Sequence, residues 1–138
     1  DIIGTVVDDQ SAQFHGDWVI STAIGPFIDY GYRHDANSMK GQNSIRFSAP
    51  LVSGSYEVRL AYTANTNRAS NVPVVLYHKN GQEIKHINQK ATPPIDNLFV
   101  SLGTYDFKES GVVEITTTAT DGYVVADAVV FIPANLKP

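Results

Sequence analysis

"SYEVRLAYTA", residues 55–64, decides the fold. Tyr56, Val58, Leu60 and Tyr62 fall on alternate positions, with Glu57, Arg59, Ala61 and Thr63 between them. Successive side chains of a β-strand point to opposite faces, so this period of two marks a strand with one buried side. "NSIRFSA" (43–49) and "VVEITTTA" (112–119) behave alike. In "VPVVLYHKNGQEIKHI" (72–87), Asn80-Gly81 separates two strand-like runs, a strong hairpin signal. A two-residue turn at that dipeptide sets His78 opposite Glu83 and His86 opposite Val75. "DGYVVADAVVFI" (121–132) is apolar on both faces and reads as a central strand covered on each side. Gly and Pro punctuate the runs, as at Gly25-Pro26, Pro50, Gly54, Pro93-Pro94, Gly103 and Gly111. The pattern predicts roughly eight to ten short strands, no helix, and an all-β fold. It is a two-sheet antiparallel β-sandwich of jelly-roll type.

The 138 residues make one domain, 1–138, large enough to bury a core without staples. An apolar fraction of 43% and a charged fraction of 17% suit a folded chain rather than a disordered one. With no cysteine, disulfides and thiolate chemistry are excluded. A net charge of −4 with scattered Lys and Arg argues against nucleic acid as a partner. No apolar run approaches the roughly 20 residues that span a bilayer, so no membrane partner is expected. No stretch reads as a signal peptide. The chain opens at Asp1 and reads as a module excised from a larger protein. No internal repeat, linker or low-complexity tract divides it.

Some residues do not fit a bland sandwich. Asp127 interrupts the apolar run "VVADAVVF" (124–131). A buried carboxylate is costly unless it finds partners, either an arginine and backbone N–H groups or a metal. Asp8 and Asp9 end the first apolar run, and first and last strands often lie together in sandwiches. Asp8, Asp9 and Asp127 could supply the hard oxygen ligands that calcium takes. In "NTNRASNVP" (65–73), Arg68 sits among Asn65, Asn67 and Asn71. It reads either as a bidentate partner of Asp127, locking the crossing to the sheet, or as a directed donor to sugar hydroxyls. Asn88 and Gln89 carry the same ambiguity. Trp18 reads as core. Tyr30, Tyr32, Arg33 and His34 cluster in "IDYGYRHD" (28–35), where aromatic faces beside donors suit a sugar ring or a protein contact. The histidines at 15, 34, 78 and 86 form no zinc-binding spacing. No nucleophile elbow, phosphate loop or dinucleotide fingerprint is present.

Taken together, "VVDDQSAQF", "GDWVIST", "GYRHD", "SGSYEVRLAYTANTNRASNVPV", "INQKATPPIDNLFVSLGTYDF" and "TDGYVVADAVVF" run nearly end to end. In this combination the chain resembles the golvesin C-terminal-like, or xanthan-lyase-type, carbohydrate-binding domain family. The family's N-R-A falls on Asn67, Arg68 and Ala69, its N-Q on Asn88 and Gln89, and its A-D-A-V on Ala126 to Val129. The resemblance implies a galactose-binding-like sandwich appended to larger secreted bacterial enzymes, acting outside the cell or in the periplasm. It also implies a non-catalytic module, monomeric, that attaches a catalytic domain of the same parent chain to a polysaccharide. The expected ligand-binding set is Tyr30, Tyr32, Arg33, His34, Asn67, Arg68, Asn88 and Gln89. Its arginines and histidine lean toward an acidic glycan. No cofactor is required; the residues themselves leave room for a structural calcium at Asp8, Asp9 and Asp127. The alternative is a docking module without sugar affinity. There the signature residues hold the fold, and Ile95, Leu98 and Phe99 of "TPPIDNLF" (92–99) offer an apolar contact surface to the parent enzyme.

Overall fold

The computed structural model describes residues 4–136; Asp1, where the excised-module expectation starts, lies outside them. Among the described residues the strands are β1 (Thr5–Asp8), β2 (Gln13–His15), β3 (Val19–Ser21), β4 (Tyr32–His34), β5 (Ser44–Pro50) and β6 (Gly54–Ala61). They continue as β7 (Val72–His78), β8 (Gly81–Ile87), β9 (Phe99–Phe107), β10 (Ser110–Thr116), β11 (Val125–Ala126) and β12 (Ala128–Pro133). A four-stranded sheet of order β1-β12-β6-β9 faces a five-stranded sheet of order β2-β5-β10-β7-β8. A small third sheet has the order β11-β4-β3. Every pairing between these strands is antiparallel.

The strands exceed the expected eight to ten because β2, β3, β4 and β11 are two or three residues long, too short to show alternation. Two single 3-10 turns, Asp9–Ser11 and Ala134–Leu136, are the helical elements among the described residues.

Tyr56, Val58, Leu60 and Tyr62 all enter the main core, where they meet Phe47, Leu76, Ile115 and Phe131. β12 lies between β1 and β6, and its side chains divide by parity. Val129 and Phe131 face the main core, whereas Ala128, Val130 and Ile132 join a second cluster with Ile28, Ala61 and Phe99. Ile95 and Leu98 pack over that second cluster. The 92–99 loop therefore covers its own sheet. None of its apolar side chains is among the exposed large ones, so it does not offer the contact surface expected of it.

The β7–β8 hairpin corrects the expected register. His78 pairs with Gly81 and Pro73 with His86, so the turn residues are Lys79 and Asn80. Gly81 alone at this turn takes a positive φ, +131°, just after the reversal. A turn centred on Asn80-Gly81 would require positive φ at both. His78 and Glu83 are thus diagonal neighbours, 3.9 Å apart between Nε2 and Oε1.

Candidate functional site

The crossing from β6 to β7 carries Arg68 inward. The residue is 3% exposed. Its Nε donates to the Thr63 carbonyl at 3.0 Å, and one terminal nitrogen donates to Thr63 Oγ1 at 3.0 Å and to the Tyr32 hydroxyl at 3.3 Å. The other donates to Asn67 Oδ1 at 2.9 Å. Every partner is neutral: among the described residues no carboxylate lies within ion-pair distance of this guanidinium. The expected pairing with Asp127 does not occur, because Asp127 lies where another group of side chains meets.

Tyr32 supports this arrangement from β4. Burial works to raise its phenol, but hydrogen bonds from Ser21 and Arg68, the Arg68 charge and the Ile24 amide outweigh that and hold it below the ordinary value. Two residues on, His34 points the same way and meets the edge of Tyr123, with ring centroids 5.5 Å apart. Burial, and then the Arg68 charge, push its imidazole below the usual value, against a smaller opposing effect of Asp35. Asp35 is buried and holds Lys40 at 2.7 Å, while Lys40 also donates to the Gly122 carbonyl.

Tyr123 is held against the arginine by backbone. Its N–H donates to the Asn67 carbonyl and its carbonyl accepts from Ala69. Gly122 makes this approach possible, since a Cβ there would sit 2.6 Å from the Arg68 carbonyl oxygen and 2.8 Å from the Ala69 nitrogen. Both are main-chain atoms, so neither can swing aside. Gly122→Ala is expected to cost about 2 kcal/mol, read as a lower urea midpoint with an unchanged slope; a midpoint equal to wild type would show that the loop yields freely.

Gln89 has an unusual use. Fully buried, its amide donates to the Val125 carbonyl at 2.9 Å and accepts from the Val125 N–H at 2.8 Å. The side chain thereby stands in for a neighbouring strand along β11. Asn88 is exposed, and its Oδ1 caps the Lys90 N–H. Of the expected ligand set, the structure thus brings Tyr32, His34, Asn67 and Arg68 into one group. Gln89 lies behind His34 through Val125, which pairs with it. Tyr30 stands apart, 79% exposed. Arg33, pointing to the opposite side of β4, leaves the group altogether.

Arg33 joins the aspartates. Its Nε donates to Asp9 Oδ2 at 3.0 Å, and its guanidinium carbon lies 4.1 Å above the Phe14 ring. Asp9 follows β1, and Asp127 occupies the single residue between β11 and β12, where the chain passes from the small sheet to the large one. The Asp9 N–H donates to the Asp127 carbonyl at 2.7 Å. Asp127 Oδ2 accepts from the Ile28 N–H at 2.8 Å. Asp8, half-buried, accepts from the Gln10 N–H. Each of the three residues offers a carboxylate oxygen within 4.8 Å of the others. Burial, then the charge of Asp8, pushes Asp9 up to about 7. Burial, then Asp9, Asp8 and Asp29, pushes Asp127 up to about 8 despite the Ile28 amide. Asp8 is raised as well, mainly by burial.

Sequence reasoning passed over Thr63, Lys40, Asp35, Phe14 and Tyr123. Lys40 alone lay outside the quoted stretches; the other four sat within them, but nothing in their spacing marked them for the site.

A profile described as the Golvesin C-terminal domain matches residues 2–133. A xanthan lyase of Bacillus sp. (strain GL1) is 36% identical over 123 residues, which make 85% of this chain and 13% of that protein. Among solved structures, a Paenibacillus xanthan lyase superposes with a TM-score of 0.88 at 35% identity, over 94% of this chain and 13% of its own. A CBM35 from Paenibacillus barcinonensis has a TM-score of 0.64 at 16% identity, over 95% of this chain and 100% of its own, a likeness of fold. The chain spans a small part of the xanthan lyases that it matches. On the extent of the profile match and the identity to a xanthan lyase, it belongs to the Golvesin C-terminal domain family.

Proposed function

We propose that this chain is a non-catalytic carbohydrate-binding module that attaches a catalytic domain of its parent protein to an acidic polysaccharide outside the cell. The family and the relatives named as xanthan lyases support the sugar-binding part. One observation carries the acidic part: Arg68 is a buried cation with neutral partners only. At an effective dielectric near 20, an anion about 6 Å from such a charge gains roughly 2–3 kcal/mol. The ligand would lie over exposed Asn67 and half-buried His34 and Tyr123, with Arg68 attracting a uronate or sulfate from beneath. Tyr32 and Gln89 then support the site without touching the sugar. Exposed sites of this kind bind weakly and gain on polymers through multivalency.

The test is retardation of the isolated domain in native gels containing neutral, uronic and sulfated polysaccharides, beside Asn67→Ala and Tyr123→Ala, with a melt for each. Retardation by acidic glycans only, lost in a variant that melts normally, is the expected result. Preference for a neutral glycan would remove the acidic reading. The burial of Tyr32, Arg68 and Gln89 also favours a fold-holding role for the signature residues. If no glycan retards the wild type, the docking reading replaces sugar binding.

A further inference from the structure

We propose that Asp8, Asp9 and Asp127 form a calcium site, built where the first strand ends and the last begins. The reading is independent of sugar binding. Its starting point is a division of labour within each carboxylate. The Oδ2 atoms are held by protein donors: Gln10 N–H on Asp8, Arg33 Nε on Asp9 and Ile28 N–H on Asp127. The Oδ1 atoms of all three are buried and have no hydrogen-bond partner. Asp127 is completely buried and Asp9 is 3% exposed, so water is a poor substitute for the missing donors. Orphaned buried oxygens are rare in folded proteins, and three in one place call for a common partner.

The spacing suits one ion. Calcium takes oxygens at about 2.3–2.6 Å, so two ligands across it stand at most about 5 Å apart; one carboxylate oxygen from each of the three residues lies within 4.8 Å of the other two. The chemistry selects the metal class. All three ligands are hard oxygens, with no imidazole or thiolate among them, which disfavours zinc and copper. Three carboxylates opposed by Arg33 leave a formal charge of −2, matched by a divalent cation. Magnesium demands a near-ideal octahedron and keeps its waters, which a buried, irregular set of side chains accommodates poorly. The donors on Oδ2 have the role that outer partners have in known metal sites, fixing the direction of each ligand.

A cation there would join three parts of the chain that come together at this point. These are the end of β1, the loop that brings Ile28 onto the second apolar cluster, and the passage between β11 and β12. The experiment is titration of the chelated, desalted domain with calcium by calorimetry and by sensitised terbium luminescence, with melts in calcium, magnesium and chelator. The expected results are one saturable calcium site, a melt raised by at least about 5 °C in calcium, and a smaller rise in magnesium. Asp127→Asn is expected to weaken calcium at least 100-fold. Should that variant not fold, Asp8→Asn, at a half-buried position, is expected to weaken it at least 10-fold. No saturable binding at millimolar calcium, or equal affinity in a folded variant, would overturn the proposal. Neither outcome bears on retardation by glycans, so the two readings fail separately.

Discussion

Arg68→Met is expected to lower the stability of this domain by about 4 kcal/mol, a large part of the 5–15 kcal/mol that holds a typical domain together. Methionine fills much of the same volume, so the loss comes from hydrogen bonds rather than from a cavity. Four of them end on Thr63 O, Thr63 Oγ1, Asn67 Oδ1 and Tyr32 OH. Bonds from a charged donor contribute about 1.5–3 kcal/mol each, and buried acceptors left behind add a desolvation cost. The hydroxyls of Thr63 and Tyr32 can turn to other acceptors, which keeps the sum well below four times the single value. Arg68→Lys retains the charge but not the planar fork, so it should fall between wild type and Met. Urea unfolding measures all three. An Arg68→Met midpoint within error of wild type would mean that the guanidinium does not hold the crossing, and its burial would then need another explanation.

The second large effect is a loss of stability as the pH rises. In chelator, the melting midpoint is expected to fall between about pH 5 and pH 8. Asp9 and Asp127 are pushed to about 7 and about 8 in the folded state, against 3.8 for an ordinary aspartate. Between those limits the folded protein binds more protons than the unfolded one, so stability falls as the pH rises. The contribution is complete below about 3.8 and gone above about 8. Burial and the charges of Asp8 and Asp29 push these groups upward, while Arg33 and the Ile28 amide oppose it. Each unit of displacement is worth about 1.4 kcal/mol. Across the window the loss should reach at least about 3 kcal/mol, or roughly 10 °C in a domain of this size. Asp127→Asn removes the more strongly displaced group and should flatten the profile. A midpoint that rises with pH in chelator would show that the carboxylates are ionised and satisfied in the metal-free fold.

The sandwich was legible because burial on one face imposes a period of two, and β6 and β10 carry it without interruption. β12 was legible for the opposite reason, as an apolar run covered on both sides, although the single strand expected over 121–132 is broken at Asp127 into β11 and β12, which belong to different sheets. The short strands were not, since two or three residues cannot display a period; β4 is recognisable only once β3 and β11 flank it. The hairpin was found but misregistered by its glycine, which ends the turn instead of occupying its centre. Asp127 announced itself by the cost of its burial, and the tendency of first and last strands to lie together pointed correctly to Asp8 and Asp9 as its neighbours. Arg68 was noticed, but its partner was misjudged. A carboxylate is what sequence chemistry offers a buried guanidinium, and the backbone carbonyl of Thr63 is invisible at that level. The role of Gln89 was equally hidden, because a side chain acting as a strand edge leaves no pattern.

The β1–β12 pair has a mechanical consequence. Thr5 lies opposite Phe131 and Asp8 opposite Ala128, so the two ends of the described chain leave the sandwich side by side. Tension applied across those ends would not shear the ladder as a whole. It would open the pair like a zip, one rung at a time, from Thr5 inward. The last rung borders Asp9 and Asp127, so with a cation held by the three carboxylates, resistance to pulling would concentrate there rather than along the strands.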